Sequence, residues 1–123
     1  MLIFYETWQY ECCGKPFRVG DIVEWPIYKY DDYDDFYYYE KHAGKDIKVQ
    51  HIQGRVTSIT AEYITFKAER VMETVLRERN ETIEDSQSAF SEKLKARRFN
   101  EDKTEYEDFQ HFWVTLEDVI FLD

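Results

Sequence analysis

The sequence predicts a mainly β fold: a small SH3-like barrel carrying a charged, partly helical insertion, with an OB-like barrel as the alternative. Three observations point there. Pro16-Phe17-Arg18-Val19-Gly20-Asp21-Ile22-Val23-Glu24-Trp25 and Gly54-Arg55-Val56-Thr57-Ser58-Ile59 each read as a glycine-marked turn feeding an alternating strand. Several further short runs are rich in β-branched and aromatic residues, and none alternates with helices in the βα manner of a parallel sheet. At 123 residues the chain fits one domain, 1–123, large enough to bury a core without disulfides or a metal.

Taken in order, Leu2 to Tyr10 (LIFYETWQY) reads as a strand. Glu11 to Pro16, with Gly14, is a turn. In the Phe17–Trp25 segment, which enters the barrel, Gly20-Asp21 marks a bend, and Pro26 suits an edge. Residues 30–47 form an acidic and aromatic loop; its core, Tyr30 to Glu40, is six aromatics and five acids with no clean period. Val49 to Thr60 is a strand kinked at Gly54. Glu62 to Ala68 alternates, with Ile64 and Phe66 on one face. Glu69 to Glu78, with Val71, Met72, Val75 and Leu76, is read as a returning strand. Residues 80–105 are a charged insertion, helical or mobile, with a helix expected from Ser86 to Phe99 capped by Asp85 or Ser86, and with Phe90 and Leu94 paired one turn apart. Phe109 to Leu116 and Val119 to Leu122 read as two closing strands joined by a turn at Glu117-Asp118. Trp8, Trp25 and Trp113 are expected in the core.

Formal net charge is −10, from 26 acids against 16 bases. That balance argues against bare nucleic acid or an anionic membrane as partner and for a basic protein or peptide. No apolar run approaches the roughly 18 residues of a membrane span. The two cysteines, Cys12 and Cys13, are adjacent, a geometry that strains a disulfide; unpaired thiols suit a reducing compartment, and a cytoplasmic bacterial-type protein is the default expectation.

Few residues suggest chemistry. Cys12 and Cys13 with His42, His51 or His111 are the weak candidates for a metal site, but zinc ligands usually come as a cysteine pair two to four residues apart. Lys15 and Arg18 lie close enough in sequence to activate a thiol. Acidic pairs such as Asp31/Asp32 and Glu117/Asp118 are more often a solvated face than a catalytic dyad, which needs a fixed separation. The four glycines have no phosphate-binding spacing, and no cofactor signature occurs. The best contact candidates are Tyr30, Tyr33, Asp34, Asp35, Phe36, Tyr37, Tyr38 and Tyr39: rings give rigid area at low entropic cost, and the carboxylates favour a cationic partner. The plainer reading has these rings covering the barrel's own core.

The run Trp8-Gln9-x-x-Cys12-Cys13-Gly14-x-Pro16-Phe17-x-Val19-Gly20-Asp21-x-Val23-x-Trp25 resembles the N-terminal signature of an uncharacterised bacterial family of unknown function. The likeness returns around His42 and at Gly54–Val56. The Tyr/Asp-rich loop and the charged 80–105 segment depart from it. The resemblance implies no activity, cofactor or partner.

Taken together, the residues favour a non-enzymatic protein- or peptide-binding module without a cofactor. Two other classes compete with it: a metal- or thiol-dependent enzyme or sensor centred on Cys12/Cys13, and an acidic mimic of nucleic acid.

Overall fold

A computed structural model of the protein describes residues 1–42, 47–68, 73–90, 98–99 and 105–122. It is mainly β. In chain order the elements are β1 (Leu2–Glu6), α1 (Thr7–Cys13), β2 (Ile22–Tyr28), β3 (Tyr37–Tyr39), β4 (Gln50–Ala68), β5 (Glu73–Ile83), a 3₁₀ turn (Ser86–Phe90), β6 (Arg98–Phe99) and β7 (Glu105–Phe121).

Two long strands organise the rest. β4 and β7 pair antiparallel from Ile52↔Phe121 to Lys67↔Glu105. The other edge of β4 is shared: β2 takes Gln50 to Arg55, and β5 takes Ile59 to Ala68. The other edge of β7 carries β1 along His111 to Thr115 and β6 at Tyr106 and Glu107. β1 pairs parallel with β3, and β3 pairs antiparallel with β2. The circuit β4–β2–β3–β1–β7–β4 is therefore a ring of hydrogen-bonded strands. The outer halves of β4 and β7 continue beyond it, flanked by β5 and β6.

Bulges keep this arrangement consistent with the period of two in a strand. On β4 the buried positions run Ile52, Gly54, Val56 and then Ile59, Ala61, Tyr63, Thr65. The parity changes between Val56 and Ile59, where the register shifts from Val56↔Leu116 to Ser58↔Thr115. One extra residue on β4 there returns apolar side chains to the interior. A second irregularity lies on β7: Gln53 faces Ile120 while Arg55 faces Glu117. Asp118 absorbs it at φ 53°, and Gly54 fits because a Cβ there would press within 3.2 Å of Leu116. The two closing strands expected from the sequence are thus one strand with a kink at Asp118, held by β4 across the kink.

The interior is aromatic. Tyr5 stacks on Tyr39 with centroids 3.9 Å apart and planes 8° from parallel, and Phe17, Trp25, Tyr10 and Phe112 surround it. Burial drives the Tyr5 phenol far above its usual pKa, with the Tyr39 hydroxyl bond adding to the effect. Ile3, Ile27, Ile52, Val56, Ile59, Val114 and Leu116 are all fully buried, each such side chain contributing roughly 1.5–3 kcal/mol. On the extension, Arg79 reaches across β4 to grip Glu107 with two hydrogen bonds, of 3.0 and 2.6 Å. Its guanidinium sits 4.1 Å above the Tyr63 ring.

The first strand is shorter than expected. The ladder ends at Glu6↔His111; the Thr7 hydroxyl then donates to the Gln110 carbonyl, and the chain turns into α1. Local β propensity in WQY gives way to packing, because a helix places both Gln9 and Tyr10 inward and leaves Trp8 outside. The Gly14 amide donates to the Tyr10 carbonyl at the helix end. In place of an entry strand from Phe17, a turn closes from Asp21 N to Arg18 O, with Gly20 at φ 99°, before β2 begins at Ile22.

The expected helix from Ser86 is a 3₁₀ turn as far as Phe90, and Arg98–Phe99 is a strand; Leu94 and the intervening residues lie outside those described. The Asp85 carboxylate accepts the Ser88 N–H, as a cap should. Ser86 is instead a buried junction. Its hydroxyl accepts the Phe17 N–H and bonds the Tyr10 hydroxyl, and its own N–H donates to the Phe17 carbonyl. The strand expected from Glu69 to Glu78 exists from Glu73, and Val71 and Met72 lie outside the described residues. Cys12 is disulfide-bonded, which corrects the expectation of unpaired thiols in a chain with two cysteines in all. Among the described residues no helix is long and apolar enough to cross a membrane.

Gly14 gives the sharpest test of this packing. A Cβ there would lie 2.6 Å from the Tyr5 hydroxyl and 2.7 Å from the Tyr10 backbone. We predict that Gly14→Ala lowers the unfolding free energy by roughly 1–3 kcal/mol, read from the denaturant midpoint; a wild-type midpoint contradicts the close approach of α1 to β1.

Candidate functional site

Alternation along the ring strands sends one set of side chains inward and leaves the other outside. On β1 the inner residues are Ile3 and Tyr5, so Phe4 and Glu6 face out. On β7 the inner residues are Phe112 and Val114, so His111 and Trp113 face out. Tyr28 on β2 and Tyr38 on β3 join them across the pairing Tyr28↔Tyr38. The ordinary content of outward positions on a one-sided sheet is polar. Here it is aromatic.

Phe36, from the segment before β3, completes the face. Phe4 is its centre, with centroids 5.3 Å from Tyr38, 5.1 Å from Trp113 and 4.3 Å from His111. Phe36 lies 5.1 Å from both Tyr38 and Trp113, and Tyr28 stacks on Tyr38 at 5.2 Å. All six side chains are half-buried: packed on one another, yet reachable from solvent.

Carboxylates fringe this face. The Trp113 indole donates to Glu62 Oε2 at 3.1 Å, and the same oxygen lies 3.3 Å from His111 Nε2. Glu6 accepts the Trp8 indole N–H at 2.7 Å. The Tyr28 and Tyr38 hydroxyls are shifted upward, first by burial and then by negative neighbours: Glu40 and Glu6 at Tyr28, Asp34 and Glu6 at Tyr38. His111 is shifted down by burial, against the pull of Glu62, Glu6 and Glu78.

The eight contact candidates divide. Tyr30 and Tyr33 project into solvent at 80% and 94% exposure. The loop carrying them is fixed by Asp31, whose carboxylate accepts the Tyr33 N–H and whose carbonyl accepts the Asp34 N–H. Asp34 is half-buried and Asp35 exposed. Phe36 and Tyr38 belong to the outer face. Tyr37 turns the other way and packs against the core under the Lys29 ammonium. Tyr39 is buried against Tyr5 and serves the interior.

The cysteine and histidine candidates do not converge as a set. Cys12 Sγ lies 3.2 Å from His42 Nε2, and Trp8 packs beside that imidazole; the Cys13 side chain lies outside those described. His51 lines a separate cleft. Among the described residues no three His, Cys, Asp or Glu side chains gather as a metal-binding group.

Phe4, Tyr28, His111 and Trp113 were not singled out by the sequence as contact residues. The available signal was an aromatic at the outward position of a strand whose inward positions were already apolar, as in Ile3-Phe4-Tyr5 and Phe112-Trp113-Val114. Trp113 is accordingly an outer-face residue rather than a core anchor, and Trp8 is exposed; Trp25 alone of the three is buried.

The model of a family of unknown function, DUF6578, matches residues 1–118, and the chain belongs to that family. No curated protein and no solved structure matches it.

The imidazole sets a pH dependence. Folding favours neutral His111, whereas the unfolded chain takes up a proton near the ordinary value of 6.5. The stability this gives is present above that value and is lost as pH falls toward the lower folded pKa. Thermal melts from about pH 7.5 to 5.5 should therefore fall more steeply for wild type than for His111→Gln; parallel slopes contradict the burial of a neutral ring.

Proposed function

We propose that this protein is a non-enzymatic binding module that holds a basic protein segment or peptide across its outer aromatic face. One observation carries the reading: six rings gathered on the outside of a strand ring whose interior is already filled. Phe4, Tyr28, Phe36, Tyr38, His111 and Trp113 are not needed to close the core, which has its own aromatic set around Tyr5. Rings of this kind are common anchors at interfaces.

Charge selects the partner. Glu6, Asp34 and Glu40 act electrostatically on the tyrosines of the face, and Glu62 borders Trp113. With a net charge of −10 behind them, arginine or lysine side chains are favoured both by the carboxylates and by the ring faces. Tyr30 and Tyr33, on their anchored loop, extend the contact. We read the strand ring as an SH3-like barrel, whose loops and one sheet face would carry the ligand; the OB-like alternative uses a similar division.

A second reading, a redox sensor in which reduction of the Cys12 disulfide frees a thiol beside His42, rests on that approach. It predicts that reduction and alkylation change the surroundings of His42 while leaving peptide affinity untouched.

The test uses synthetic peptides of about twelve residues: one rich in arginine and leucine, one with each arginine changed to glutamate, and one with each changed to glutamine. The arginine peptide should bind with salt-sensitive affinity, and Phe36→Ala/Tyr38→Ala should weaken it by about tenfold or more, with the fold checked by circular dichroism. Equal affinity for all three peptides, or an unaffected double variant, contradicts the reading.

A further inference from the structure

The outer aromatic face carries a titratable pair at its edge. Glu62 on β4 is paired directly with His111 on β7, and His111 is paired in turn with Glu6 on β1. Glu62 Oε2 accepts the Trp113 indole N–H at 3.1 Å and lies 3.3 Å from His111 Nε2. The Glu62 and His111 side chains are only 18% and 14% exposed, so salt and water screen them poorly.

Along β4, β5 and β7, arginine answers several acids: Arg55 meets Glu117 and Asp118, Arg77 meets Glu105, and Arg79 meets Glu81 and Glu107. Glu62 has no such partner. Among the described residues no lysine or arginine reaches it, and its second oxygen, Oε1, accepts no hydrogen bond from them. A partly buried carboxylate beside the Trp113 and His111 rings, with one oxygen unengaged, is a docking point for a cationic side chain.

His111 can supply the same positive charge from within. Its Nε2 is buried without a well-aligned hydrogen bond, and the Phe4 ring covers it at 4.3 Å. The charged groups acting on it are acids from three strands: Glu62 on β4, Glu6 on β1 and Glu78 on β5. Burial outweighs them and holds the imidazole pKa below the ordinary 6.5. The ring is therefore neutral at pH 7 and leaves the Glu62 charge to a ligand. Once protonated, it is a cation 3.3 Å from the carboxylate, which both compensates Glu62 and repels a second positive charge.

Taking the proposed peptide-binding face as the premise on which this rests, we infer that Glu62 holds an arginine or lysine side chain of the basic segment and that protonation of His111 releases it. The coupling runs both ways: a bound cation must also make His111 harder to protonate.

The His111 ring resonances of the free protein, followed by NMR as pH falls, give its titration midpoint. The arginine peptide should bind about fivefold or more weakly one pH unit below that midpoint than one unit above it, with the fold checked by circular dichroism. Saturating peptide should move the midpoint down by about half a unit or more. His111→Gln should shrink the difference between the two pH values to less than about twofold, whatever its affinity at the higher one. Glu62→Gln should weaken the peptide about fivefold or more at the higher pH. Affinity that ignores pH, an equal fall in His111→Gln, a midpoint unmoved by peptide or an unweakened Glu62→Gln would overturn the inference and leave peptide binding itself standing. No binding at the higher pH removes both.

Discussion

The antiparallel pairing of β4 with β7 is the constraint on which the structure depends. β4 is bonded on both edges along nearly all of that ladder and β7 along its central stretch from His111 to Thr115, so neither can shift there without breaking two sets of hydrogen bonds. β7 gives β1 its place, β1 gives β3 its place, and β3 returns the sheet to β2 and so to β4. The parallel step from β1 to β3 is short, and parallel pairing is the less stable kind per residue. It holds because its two neighbours are already fixed by the long strands.

That scaffold assigns every side chain a direction. A slip of one residue would exchange the two faces of a strand. The bulge after Val56 and the kink at Asp118 are where the chain corrects its phase. Correct phase puts Tyr5, Tyr39 and Phe112 inside and Phe4, Tyr38 and Trp113 outside. The same alternation thus makes both the core and the carboxylate-fringed face, and the two cannot be changed independently. Helix α1 serves the interior with Tyr10 and holds the backbone of Tyr39 and Lys41 with Gln9, which explains why Thr7 to Tyr10, read as strand, leave the sheet.

Much of this was legible in the residues. Glu62 to Ala68 alternates cleanly and is strand; Gly54, read as a kink, sits at an irregularity of the ladder; Asp85, read as a helix cap, caps a 3₁₀ turn. These are local signals, settled by backbone sterics or by a side chain bonding its own neighbourhood. What the sequence could not convey is set at long range. WQY reads as strand because its β propensity is local, while the interior that pulls Tyr10 into a helix is made by Phe17 and Phe112. The Glu117-Asp118 pair reads as a turn, and only Gly54 opposite shows why the strand runs on. The candidate site was half visible: the acidic, tyrosine-rich segment was conspicuous, but which of its rings face out depends on the parity of a three-residue strand. Tyr38 faces out and Tyr39 faces in for that reason, and Phe4 and Trp113 come together only because the first strand pairs with the last.

Nuclear Overhauser contacts from β1 test the central claim most directly. A closed ring places Ile3 between Tyr37 and Val114, so contacts should run from Ile3 to both, and from the Phe4 ring to both Tyr38 and Trp113. Contacts from β1 to β7 alone, with nothing reaching β3, would show an open sheet and contradict the account.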